Sequence, residues 1–171
     1  MTDSTRIALV TGANKGIGLE IARQLAAAGV TVIVGARDMQ RGQQAAAALP
    51  AAGKPVEHLQ IDVTSEASIR AAAEQIAERH GRLDILVNNA GIVDGGDGAV
   101  SVASPDAVRH LMETNFIGTL AVTQAMLPLL RKAPAGRIVN LSSALGSLSV
   151  NSDPSSLYYG QQLIGYNASK A

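Results

Sequence analysis

Thr11-Gly12-Ala13-Asn14-Lys15-Gly16-Ile17-Gly18 is the stretch that most narrows what this chain can fold into. It lies between an apolar run, Ile7-Ala8-Leu9-Val10, and a segment with helical periodicity. A strand, a glycine turn and a helix in that order form a phosphate-binding device. The helix N-terminus presents unpaired backbone N–H groups and about half a positive charge, and glycine removes the Cβ that would hold a pyrophosphate away. The spacing is Gly-x3-Gly-x-Gly rather than the more familiar Gly-x-Gly-x-x-Gly, so the stretch also suits a tight turn with no ligand.

The rest of the chain alternates strand and helix signals. Ile17, Ile21, Ala22 and Leu25 mark one face of a helix that ends at Gly29. Residues 31–34 are a β-branched run suited to a strand covered on both faces, and a helix over about 39–49 stops before Pro50. Residues 56–61 predict a third strand. Ser65 caps a third helix, with Ile69, Ala73, Ile76 and Ala77 inward, and residues 83–87 predict a fourth strand. Residues 88–104 read as loop, with Asp94 and Asp97 as turn residues. Pro105 then opens a helical region to about residue 132, residues 137–141 predict a fifth strand, and residues 142–165 form a long connection to a helix beginning near Tyr166. The expectation is an α/β chain: a doubly wound, Rossmann-like parallel sheet of five strands in a single domain over residues 1–171.

Composition narrows the partners. Hydrophobic residues make up 47% and charged ones 16%, which is globular rather than disordered. Fourteen basic and fourteen acidic side chains cancel, removing the electrostatic case for nucleic acid or an anionic membrane surface. The longest apolar candidate, 119–130, is too short for a membrane crossing and contains Thr123, Gln124 and Pro128. With no cysteine there is no thiolate nucleophile, and His58, His80 and His110 lack the spacing of a metal site. Residues 1–6 run straight into the first strand without room for a signal peptide, so the expected location is the cytoplasm.

A doubly wound sheet binds its ligand outside the carboxyl ends of its strands. That edge collects the glycine loop, Arg37 with Asp38, Asp62, residues 88–91, and Ser142 with Ser143. Tyr166-Asn167-Ala168-Ser169-Lys170 is sharper. In a helix Tyr166 and Lys170 stand one turn apart on one face, where an ammonium can lower the phenol's pKa. A shift from near 10 to neutrality takes about 4 kcal/mol. The same spacing also describes an ordinary surface pair. Tyr158 and Tyr159 have no lysine four residues on.

Thr11-Gly12-x-x-x-Gly16-Ile17-Gly18, Asp62-Val63, Asn88-Asn89-Ala90-Gly91, Asn115, Ile138-Val139-Asn140-x-Ser142-Ser143 and Tyr166-x-x-x-Lys170 follow one another in an ordered set. In this the chain resembles the short-chain dehydrogenase/reductase family, from about Ile7 to its last residue, and its carbonyl-reductase-like members most. The resemblance implies an NADPH-dependent oxidoreductase that reduces a ketone or aldehyde carbonyl to an alcohol. Tyr166 would be the general acid, Lys170 would lower its pKa and hold the nicotinamide ribose, and Asn115 would complete a water-linked relay to Lys170. Ser143, with Ser142 in reserve, would hydrogen-bond the substrate oxygen. An Asn115 merely satisfied inside its helix is the other reading. Cofactor contacts are implied for Gly12, Asn14, Lys15, Gly16, Ile17, Gly18, Arg37, Asp62, Val63, Asn89, Ala90 and Gly91, besides Tyr166 and Lys170. Asn88 would brace the turn after the fourth strand.

Lys15 and Arg37 favour the 2′-phosphate of NADP(H), while Asp38 keeps NAD(H) open. Relatives pair through the helix here at about 121–132, so a homo-oligomer is expected. Two departures stand out: the connection from Ser143 to Tyr166 is longer than in most members, and the family continues beyond Lys170 through further strands and a substrate-covering segment. A C-terminally incomplete sheet is therefore expected. It leaves a second reading, a catalytically inactive nucleotide-binding or interaction module.

Overall fold

Strands β1 (Ile7–Thr11), β2 (Thr31–Ala36), β3 (Val56–Gln60), β4 (Ile85–Asn88) and β5 (Arg137–Asn140) pair in parallel, in the order β3-β2-β1-β4-β5. This is a computed structural model, and it describes residues 6–50 and 54–171; the expectation drawn from residues 1–5 lies outside them. Helices α1 (Gly16–Ala27), α2 (Met39–Ala48) and α3 (Glu66–His80) carry the chain between successive parallel strands. From β1 the chain steps outward to β3, then returns to the other side of β1 with β4. The reversal makes the carboxyl ends of β1 and β4 the switch point at which such sheets take ligands. The doubly wound sheet of five strands expected from the sequence is the fold observed.

Two compact units make up the chain. The first comprises the described residues up to Ala90 together with Leu120–Asn140, and it contains the whole sheet. Every residue of β1 and β2 is buried, as continuous apolar runs in a parallel sheet require. Leu9, Ile33, Leu86, Ile76 and Met126 form the centre of its core, each worth about 1.5–3 kcal/mol when removed from water. Asp84 is buried as well, but its carboxylate accepts from the Ile7 N–H at 2.9 Å and from Arg82 Nε at 3.2 Å. At the opposite edge β5 is exposed throughout, with Ile138 and Val139 partly bare, because no described strand pairs with its outer side.

Several sequence expectations shift in detail. The inward face of α1 is Gly18, Ala22 and Ala26, with Ile21 and Leu25 at its margins, while Ile17 is 67% exposed. Small residues suit a helix lying close on a sheet. In α3 the buried set is Ile69, Ala72 and Ile76; Ala73 packs at the margin and Ala77 faces solvent. Ser65 does cap this helix, accepting from the Ser68 N–H at 3.3 Å.

The second unit comprises Gly91–Thr119 and Leu141–Ala171. The single helical region expected from Pro105 is a run of α4 (Pro105–Met112), a π turn at Glu113–Ile117 and α5 (Gly118–Leu130), which continues into the first unit. On α5 Val122, Met126, Leu129 and Leu130 are buried, and Leu120, Gln124 and Pro128 are exposed. The long connection is not bare loop: it holds a 3-10 turn at Ala144–Gly146 and a short helix, α6 (Leu148–Ser152). Helix α7 (Ile164–Lys170) begins two residues ahead of Tyr166. No helix among the described residues is long and apolar enough to cross a membrane.

Candidate active site

In the first unit the glycine loop is braced from β4. The Thr11 hydroxyl accepts from the N–H groups of Asn89 (3.1 Å) and Ala90 (3.0 Å). The Asn89 side chain donates back to the carbonyls of Thr11 (2.8 Å) and Gly12 (3.2 Å). Gly12 has a φ of +63°, and a Cβ there would stand 2.9 Å from the Ala90 Cα. At Gly18 a Cβ would collide with the Asn89 amide nitrogen. Sequence spacing alone gives a glycine turn suited to a phosphate. The fold adds that two of its glycines are needed to admit Asn89 and Ala90, which follow β4. Asn88 points elsewhere, donating to Thr123 Oγ1 (2.9 Å) and Asn140 Oδ1 (2.8 Å), so it ties β4 to β5 and α5 rather than bracing the turn that follows it.

The remaining nucleotide candidates of this unit differ in exposure and in the bonds they already make. Lys15 stands at the N-cap of α1 without a side-chain cap bond, and Lys15, Gly16 and Ile17 are exposed, with Asn14 half-buried. Arg37 is exposed at the end of β2, where it shares a cleft of about 490 Å³ with Met39, Gln60, Asp62 and Ser65. Asp62 Oδ1 accepts from the N–H (3.0 Å) and hydroxyl (2.8 Å) of Thr64, leaving Oδ2 without a protein partner among the described residues. Val63 is half-buried, packed against the hydrophobic core. Asp38 is already engaged: its Oδ1 caps α2 by accepting the Arg41 N–H at 2.9 Å.

The other candidates belong to the second unit, gathered around α7. Lys170 is half-buried and donates from Nζ to the Leu141 carbonyl at 3.1 Å. Burial holds its pKa below the ordinary lysine value, because the charged ammonium is the form that desolvation penalises. A Cβ at Gly91 would stand 3.2 Å from that Nζ and 3.3 Å from Asn115 Oδ1, so both groups lie against the same face of Gly91. Asn115 is buried in the π turn. Its Nδ2 donates to the Ile92 carbonyl (3.0 Å) and Ser169 Oγ (2.9 Å), and its Oδ1 accepts from the Ile92 N–H (2.8 Å). Ser169 in turn donates to the Tyr166 carbonyl at 2.8 Å.

The two serines have different tasks. Ser142 donates its hydroxyl hydrogen to the Lys170 carbonyl at 2.8 Å. Ser143 accepts from the Leu145 N–H at 3.2 Å as the cap of the 3-10 turn, and its own hydrogen stays available. Sequence reading undervalued Asp94 and Asp97. Asp94 pairs with His110 Nδ1 at 2.9 Å and accepts from the Gly96 N–H, which with the His110 bond holds its carboxyl below the usual range. Asp97 caps α7, accepting from the Gly165 N–H at 2.9 Å and the Tyr166 N–H at 2.8 Å. The separation along the chain hid this contact; an aspartate in a glycine loop gives no signal of which helix it will meet. Among the described residues no cluster of His, Asp and Glu has the makings of a metal site.

Comparison with known proteins identifies the family. A family model described as short chain dehydrogenase matches residues 6–171. Carbonyl reductase [NADPH] 1 of Sus scrofa is 42% identical, over 88% of this chain and 51% of its own length. (-)-Isopiperitenone reductase of Mentha piperita is 40% identical, over 86% of this chain and 60% of its own. The chain thus spans little more than half the length of such relatives. Among solved structures, a gluconate 5-dehydrogenase from Burkholderia cenocepacia J2315 in complex with NADP and tartrate superposes with a TM-score of 0.82. It is 32% identical and covers 96% of this chain and 60% of its own.

Proposed function

Since the chain belongs to the short-chain dehydrogenase/reductase family, an enzyme lineage of oxidoreductases, we propose that it reduces a ketone or aldehyde carbonyl to the alcohol with NADPH, reversibly. The observation that carries this reading is α7, where Tyr166 and the half-buried Lys170 lie one turn apart and Lys170 is held by the Leu141 carbonyl.

The first unit suits a dinucleotide. Gly16 has open space where a Cβ would stand, and Lys15 and Arg37 are exposed cations for a 2′-phosphate. Asp38 is used only in part, its Oδ1 capping α2 and its exposed Oδ2 lying 3.9 Å from Arg41 Nε, so the preference for NADP(H) over NAD(H) rests on the two cations. Asp62 Oδ2 is an open acceptor for the adenine amino group. When bound, the reduced nicotinamide supplies the hydride equivalent for the carbonyl carbon. Tyr166 gives its phenolic proton to the carbonyl oxygen, and takes it back from the alcohol in the reverse direction. Ser143 donates a hydrogen bond to that same oxygen as charge develops on it. The Lys170 ammonium steadies the tyrosinate left behind. Both Asn115 Nδ2 hydrogens are engaged, so a water relay to Lys170 uses the remaining lone pair of Oδ1, which shares the Gly91 face with Nζ.

NADPH consumption with a panel of ketones and aldehydes tests the reading. Wild type should turn over, and Tyr166→Phe should lose about 10²–10⁴-fold in rate while keeping its NADPH affinity. Equal rates remove Tyr166 from the mechanism. The bare outer side of β5 keeps a second reading in view, a nucleotide-binding module whose sheet edge another segment covers. NADPH binding by the wild type with no consumption across the panel would favour it.

A further inference from the structure

We propose that Asp97 is a positioning residue for the tyrosine–lysine pair: its carboxylate clamps the N-terminus of α7 and thereby sets where Tyr166 and Lys170 stand. The proposal rests on the reading of Tyr166 as the general acid.

Helix α7 carries both Tyr166 and Lys170. Its own cap residue, Leu163, has no side-chain acceptor for the first-turn N–H groups. Those groups are met from another part of the chain. Asp97 Oδ1 accepts from Gly165, Oδ2 accepts from Tyr166, and the neighbouring Gly98 carbonyl accepts from the Ile164 N–H at 3.1 Å. Three consecutive amides of α7 are thus hooked to two residues of one loop. The loop is itself tightened by the Gly98 N–H, which donates to Asp97 Oδ1 at 2.9 Å.

Packing removes the freedom that the hydrogen bonds leave. At Gly165 a Cβ would stand 2.9 Å from Leu111 Cδ1 and 3.1 Å from the Val108 Cα, so α7 meets α4 backbone to backbone at this point. The amide that Oδ2 holds is that of Tyr166 itself. Fixing it fixes the Cα from which the phenol hangs, and Lys170 follows one turn on. A carboxylate suits the task because two adjacent N–H donors need two acceptor oxygens; an asparagine would turn a donor toward one of them. Its negative charge also complements the helix N-terminus.

Two measurements on the full chain decide the matter. In amide hydrogen exchange, Asp97→Asn should speed exchange throughout residues 165–170 by about tenfold, the effect of losing one hydrogen bond to a charged group, while Leu9, Ile33 and Leu86 stay protected. Faster exchange confined to Gly165 and Tyr166 would mean a local cap only, and overturns the proposal. In turnover, Asp97→Asn should lower kcat by about ten- to 100-fold with KM for NADPH within about twofold, as a misplaced acid does. Asp97→Glu, which keeps both acceptors, should recover part of the loss. In a Tyr166→Phe background, Asp97→Asn should cost nothing further. Additive losses, or an unchanged kcat where Tyr166→Phe is inactive, overturn the proposal and leave the general acid standing. Wild-type rates for Tyr166→Phe refute the general acid instead, and the exchange result then still judges the clamp.

Discussion

In the first unit Leu9, Ile33, Ile76, Leu86 and Met126 are almost wholly out of water, packed across a sheet whose two central strands are buried end to end. In the second, Leu111 is the only fully buried large apolar side chain among the described residues, and directed polar bonds join its segments. Asn115 ties Ile92 to Ser169, Asp97 caps α7, and Lys170 reaches the Leu141 carbonyl. The difference is instructive because hydrophobic packing is non-directional and tolerant, whereas hydrogen bonds fix angle and distance. Under the proposed function, the sheet that carries the nucleotide needs to be stable. A proton donor needs to be aimed.

That contrast can be broken by experiment. Leu86→Ala in β4 should cost the whole fold about 2–5 kcal/mol, read as a shift of the urea midpoint, because it opens a cavity at the centre of the sheet. Asn115→Ala should cost about 1–3 kcal/mol and expose the Ile92 amide to exchange, since it leaves buried polar groups without partners. If Asn115→Ala proves the costlier of the two, the first unit is not the chief source of stability.

The smallest effect concerns Lys170. Burial places its folded-state pKa below the unfolded value of 10.5, so between those two values the unfolded chain binds the proton that the folded chain has released. Stability contributed at this site therefore rises with pH through that window and levels off above 10.5. Lys170→Met should flatten the rise in urea midpoints measured over the alkaline range. A rise that survives the substitution would assign it to other groups.

The strands were legible because the aliphatic and β-branched runs at 7–10 and 31–34 suit strands covered on both faces, and the helices because capping residues such as Ser65 and Pro105 act locally. Face assignments were less so. Ile17 looked like an inward residue by hydrophobicity, yet α1 lies so close to the sheet that Gly18, Ala22 and Ala26 occupy the contact and Ile17 is left outside. The structure in residues 147–165 was missed, since α6 has five residues and no apolar periodicity to reveal it.

What the sequence determined by itself was the alternation of strand and helix, the glycine loop, the family and the ordered set of polar residues ending in Tyr166 and Lys170. These rest on local spacing, which any reader of the chain can count. Tertiary structure decided the rest: that Asn89 braces the glycine loop, that Asp38 is engaged as a cap, that Ser143 rather than Ser142 keeps a free hydroxyl hydrogen, and that Asp97 holds the helix bearing Tyr166. Contacts between residues far apart in the chain depend on how the backbone closes in space, and a side chain's donors and acceptors are committed only once that closure is made.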